Sequence, residues 1–163
     1  MNPQEPLFES VSKTIQIINK KYGHLRINAG GCGIFARLMA RALKSKGCDI
    51  SFVLTFGNWN KHEADISNSG IHSNDFDLFM GTSWRHILLK ANDFFIDSSG
   101  VYKSDTEYFT AETSCNDVRF SDEFQLSTLD HMLSKQNRWR WNNSFNRAYA
   151  SPISKLITKH LEM

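Results

Sequence analysis

Between residues 7 and 18, Leu7, Val11, Ile15 and Ile18 recur at helical spacing, with Phe8 beside them. This predicts a helix, with Pro6 in its first turn and Gly23 as its C-terminal cap. A second helical pattern runs through "CGIFARLMARALKSKG". Phe35, Leu38, Met39, Ala42 and Leu43 share one face, Arg37, Arg41 and Lys44 take the other, and Gly47 ends it. The period then changes. Ile50, Phe52, Leu54 and Phe56 alternate in "DISFVLTFG", which predicts a strand. "WRHILLK" and "DFFID" read as two short strands joined by a tight turn at Ala91–Asn92. Two helices close the chain. One runs from Ser121 or Ser127 to Gln136, with Leu129, Met132 and Leu133 inward. The other starts at Ser151–Pro152, with Ser as N-cap and Pro in first position, and buries Ile153, Leu156, Ile157 and Leu161.

Residues 58–83 show no period and are rich in Asn, Ser, Asp and Gly. A loop of that length in a compact domain is often functional. It is expected to form a cleft wall or lid, with Trp59 or Trp84 as an apolar contact for substrate. There is no internal repeat and no low-complexity linker, so the 163 residues are expected to form one domain over 1–163.

Composition narrows the class. Hydrophobic content of 40% and charged content of 22% suit a soluble globular protein. No basic segment followed by an apolar run opens the chain, and no stretch has the apolar length that spans a bilayer. A cytoplasmic location without membrane contact is expected, and an effector delivered into another cell is compatible with it. Cys32, Cys48 and Cys115 are an odd set without a C-x-x-C pair, against a disulfide framework or a cysteine-rich zinc site. His62, Glu63, His72 and Asp75 match no metal-ligand spacing, so neither metal nor cofactor is expected.

Charge is uneven. Residues 1–57 carry 8 Lys/Arg against 3 Asp/Glu, residues 58–130 carry 5 against 13, and residues 131–163 carry 6 against 1. "NRWRWNNSFNR" interleaves Arg138, Arg140 and Arg147 with Trp139, Trp141 and Phe145, a mixture able to stack on bases and hold phosphate. The chain is only weakly basic, so packing of the aromatics is favoured over nucleic-acid binding.

The chemistry-bearing segment is "INAGGCGIFARLMARAL". It sets one thiol, Cys32, among Gly30, Gly31 and Gly33 at the mouth of a helix. Thiolate is the reactive form of cysteine. Helix-terminal N–H groups favour negative charge and can also hold the oxyanion of a tetrahedral intermediate. Gly31 and Gly33 would leave room for substrate beside the sulfur. A buried structural cysteine after a glycine turn is the competing reading. A nucleophile needs a base, and the base an orienting group. Of the six histidines, His86 is the one on a predicted strand. With a two-residue turn at Ala91–Asn92, Lys90 pairs with Asp93 and His86 lies directly opposite Asp97, Cβ atoms about 4.5–5.5 Å apart. Asp97 in "IDSSG" also reads as a turn residue.

"GGCGIFA" resembles the nucleophile segment of the transglutaminase family, in which Gly-x-Cys opens a helix. "RHILLKANDFFIDSSG" resembles its strand histidine and the hairpin partner ending in Asp. The order Cys, His, Asp is that of transglutaminase-like members of the wider papain-like cysteine protease superfamily. Gly33 and Leu88 stand where that family often has aromatic residues. The resemblance implies Cys32 as nucleophile, His86 as base and Asp97 as orienter. It also implies an α+β, papain-like/transglutaminase-like core, with the nucleophile helix packed on an antiparallel sheet between flanking helices. The expected activity is thiol-dependent amide hydrolysis or acyl transfer through a Cys thioester, as peptidase, deamidase or transglutaminase-like enzyme, on a protein or peptide substrate. The alternative is a catalytically silent binding module that engages a protein or nucleic-acid partner through its basic C-terminal region.

Overall fold

The computed structural model describes residues 5–23, 27, 31–56, 84–112, 119–135 and 144–161. Along the chain these form α1 (Glu5–Tyr22), α2 (Cys32–Ser45), β1 (Ile50–Phe56), β2 (Trp84–Ala91), β3 (Phe94–Asp97) and β4 (Gly100–Tyr102). Then follow α3 (Asp105–Glu112), β5 (Arg119–Phe120), α4 (Leu126–Lys135) and α5 (Ser144–Leu161). The strands make one antiparallel sheet in the order β4-β3-β2-β1-β5. The architecture is α+β. Among the described residues, no helix is long and apolar enough to cross a membrane.

Each helix follows from its apolar spacing. On α1, Phe8, Val11, Ile15 and Ile18 are buried. Glu5 in the first turn and Lys20 and Lys21 in the last complement the helix dipole. On α2, Ile34, Phe35, Met39 and Leu43 are buried, while Leu38 and Ala42 sit at the margin of the core. Its end is a Schellman motif. Gly47 takes φ +86°, its N–H donates to Lys44 O, and the Cys48 N–H donates back to Leu43 O at 3.1 Å. Arg37 reaches from α2 to Asp130 of α4 at 2.7 Å.

The core on the helical side joins these faces to Phe52, Leu54, Ile87, Leu89 and Ile96 of the sheet, and to Leu129, Leu133, Ile153 and Ile157 of α4 and α5. Burying one such side chain contributes about 1.5–3 kcal/mol. The opposite sheet face is also covered. Val53, Leu88, Tyr102 and Tyr108 form a second cluster, with Tyr102 and Tyr108 edge to face at 5.1 Å. Alternation at Ile50, Phe52 and Leu54 finds the first face of β1. Val53 belongs to the second, which α3 covers.

Two boundaries differ from expectation. The hairpin turn is Asn92–Asp93, because Ala91 pairs with Phe94. Asn92 takes φ 51°, a conformation asparagine tolerates, and is clamped to Asp49: its N–H donates to Asp49 O, and its Oδ1 accepts from Asp49 N–H. The last helix begins at Ser144, so Pro152 lies inside it and Ser151 is no cap. An interior proline loses a helical hydrogen bond and costs about 3 kcal/mol. Packing on both sides of Pro152 carries the helix through. Tyr149 meets Tyr22 with ring centroids 5.7 Å apart, and Ile153, Ile157 and Leu161 are buried.

Candidate active site

Cys32 is the first residue of α2 and is 2% exposed. The N-cap is Gly31, buried, with φ −110°. Its N–H donates to Ile27 O at 2.7 Å, and its carbonyl receives the Phe35 N–H at 2.8 Å. N–H groups in a first turn have no partner within the helix. Gly31 has no side chain to cap them, and the first turn holds no acidic residue to repel an anion.

Gly33 faces inward. A Cβ there would stand 3.0 Å from Leu133 Cδ2 and 3.1 Å from Ile87 Cδ1. Its missing side chain lets α2 approach β2 and α4. Close packing therefore asks for a glycine here.

His86 and Asp97 are 8% and 3% exposed. Nε2 of His86 donates to Asp97 Oδ2 at 2.9 Å. With the turn at Asn92–Asp93, Asp97 falls opposite Leu88, so the pair is diagonal rather than directly opposite as the sequence predicts. Diagonal neighbours on one face remain within reach of a long side chain. The other oxygen, Oδ1, accepts the N–H groups of Ser99 and Gly100 at 2.8 and 3.2 Å. Asp97 therefore bonds the ring through one oxygen and the turn backbone through the other.

The β1/β2 register slips between Thr55 and Phe56, so that Thr55 pairs with His86 and Phe56 with Trp84. An irregularity of this kind bends a strand and re-aims the side chains beside it. From this position the His86 ring lies near enough to Cys32 for the thiol to act on its protonation. With Nε2 on the carboxylate, Nδ1 is the nitrogen left for the thiol.

Opposed effects set the state of the ring. Burial pulls the His86 pKa down. Negative charge on Cys32, the hydrogen bonds to Asp97 and Cys32, and the charge of Asp97 outweigh burial and raise it from 6.5 to about 10. The balance favours the protonated form of the ring.

Three of the residues singled out in the sequence therefore meet: Cys32, His86 and Asp97. Gly31 caps the helix beside them. Trp84 opens β2 two residues before His86. Trp59, the rest of the 58–83 loop with His62, Glu63, His72 and Asp75, and the arginine–tryptophan run 138–143 lie outside the described residues. Among the described residues, no group of three His, Cys, Asp or Glu side chains is placed to hold a metal ion.

Site and fold together define an α+β chain with a buried thiol–imidazole–carboxylate series at the mouth of a helix. Comparisons with protein-family models, with curated proteins and with solved structures give no match.

Proposed function

We propose that this chain is a thiol-dependent acyl-transfer enzyme of papain-like, transglutaminase-like architecture, with Cys32 as nucleophile, His86 as acid and base, and Asp97 as orienter. The observation that carries the reading is the convergence of the three groups: Nε2 of His86 on Asp97 at 2.9 Å, and the same ring engaged with Cys32.

In this reading the Cys32 thiolate attacks a carbonyl carbon and a carbon–sulfur bond forms. Negative charge develops on the carbonyl oxygen at the α2 N-terminus, where first-turn N–H groups stabilise it. The tetrahedral intermediate collapses as the His86 imidazolium gives its proton to the departing amine, leaving a thioester on Cys32. His86, now neutral, takes a proton from water or a second amine, whose attack releases the acyl group and restores the thiol pair. Asp97 keeps Nε2 occupied throughout, so that Nδ1 handles the proton. Hydrolysis of a peptide or side-chain amide is the favoured outcome.

The test uses a small acyl donor, p-nitrophenyl acetate, with intact-protein and peptide mass spectrometry. One acetyl group is expected on Cys32 early in turnover, removable by hydroxylamine and absent in Cys32→Ala. Acetylation spread evenly over the cysteines, or none at Cys32, would return the chain to a binding module.

A further inference from the structure

Asp97 is held through the backbone that follows it. Its Oδ1 is fixed by the N–H groups of Ser99 and Gly100, so the plane of the carboxylate follows the turn at 97–100. Within that turn Ser98 is buried, and its carbonyl accepts a hydrogen bond from Nδ2 of Asn19 at 2.7 Å. Asn19 sits in the last turn of α1, on the exposed side. The neighbouring Ile15 and Ile18 carry the packing of that helix end, so the amide adds little burial.

We infer that Asn19 is a positioning residue for the Cys32–His86–Asp97 series: it ties the 97–100 turn to α1 and so aims the Asp97 carboxylate at Nε2 of His86. The inference rests on the acyl-transfer reading above. A carboxylate that drifts by an ångström loses much of its bond to the ring, and a residue that fixes its backbone acts on the ring through it. The titratable groups set against His86 are Cys32 from α2 and Asp97 from β3. A change at Asn19 therefore reaches the thiol through the histidine.

The experiment uses the full chain and iodoacetate, an anion drawn to Cys32 by the His86 cation. Site-resolved carboxymethylation is followed from pH 6 to 11 in wild type, His86→Gln, Asn19→Asp, Asn19→Ala and Ser10→Ala. Asn19→Asp keeps the shape and removes the donor. Ser10→Ala removes a hydrogen bond to Pro6 O elsewhere on α1 and serves as the control. The wild-type rate at Cys32 falls as the pH passes about 10, where His86 loses its proton. Both Asn19 variants move that fall to lower pH by about half a unit, a roughly threefold loss of rate on that limb. Ser10→Ala leaves it in place. A wild-type limb retained in both Asn19 variants, or moved equally by Ser10→Ala, overturns the positioning role. If His86→Gln shows the wild-type limb, the acyl-transfer reading fails and the positioning role falls with it.

Discussion

The two ends of α2 each carry a buried cysteine. Cys32 opens the helix and is 2% exposed; Cys48 follows the Schellman turn that closes it and is 8% exposed. Exposure alone would make Cys48 the readier thiol. Their surroundings argue the reverse. Cys32 opens a helix that has no side-chain cap, near an imidazole whose pKa is raised. Beyond the C-terminus the helix presents the negative end of its dipole. Burial and the neighbouring charge of Asp49 push the Cys48 thiol up. The contrast teaches that chemistry here is a property of place. One helix provides both environments, and His86 stands beside only one of the two thiols.

The largest expected effect comes from removing that histidine. His86→Ala lowers acylation of Cys32 by p-nitrophenyl acetate about 10²–10⁴-fold, read as the initial rate of p-nitrophenol release, and narrows the difference between the two cysteines. Asp97→Asn has a smaller effect on rate, because the ring remains and the amide oxygen can still accept from Ser99 and Gly100. It lowers the His86 pKa from about 10 toward its ordinary value, which nitrogen-15 NMR of the imidazole measures. A variant with the wild-type imidazole titration would break the link between the carboxylate and the ring.

Stability should follow the same proton. His86 binds it more tightly in the folded chain, at about 10, than in the unfolded chain, at 6.5. Its contribution to stability is therefore full below pH 6.5 and is lost as the pH rises to about 10. Urea midpoints are expected to fall across that window in the wild type and to fall less in His86→Gln. Equal slopes in the two proteins would contradict the charged state of the ring.

The smallest effect sharpens the comparison from the packing side. Gly33→Ala gains up to about 1 kcal/mol of helix propensity, but crowds Ile87 and Leu133 at a cost of about 1–3 kcal/mol. A net loss of about 1 kcal/mol in urea unfolding is expected, with the reactivity of Cys32 kept within twofold. A large loss of reactivity at unchanged stability would place Gly33 on the substrate side.

Much of the site is legible in the sequence because its parts are local. A thiol before an apolar helix pattern and a histidine and aspartate on two facing strands need only periodicity to be placed. The register is less legible. Phe94 and Ile96 would alternate with either turn, and the choice of Asn92–Asp93 is made by Asp49, far away in sequence, which clamps Asn92. Pro152 misleads for a similar reason: local preference puts a helix start there, and packing of Tyr149 against Tyr22 overrides it. β4, β5 and α3 have no strong pattern of their own. β5 is two residues long and exists through its pairing with β1, and Tyr108 places α3 by packing on Tyr102 and Phe120. Asn19 gives no signal at all, since an exposed asparagine in a helix is ordinary until Ser98 is seen beside it.

The most direct measurement is site-resolved alkylation of the native chain by iodoacetamide near pH 7, with Cys32 and Cys48 quantified separately by mass spectrometry. Cys32 is predicted to react at least about ten times faster than Cys48, against the order of their exposure, and to lose that lead in His86→Ala. Slow and equal labelling of both cysteines, rising together only at high pH, would contradict a reactive thiol at the mouth of α2.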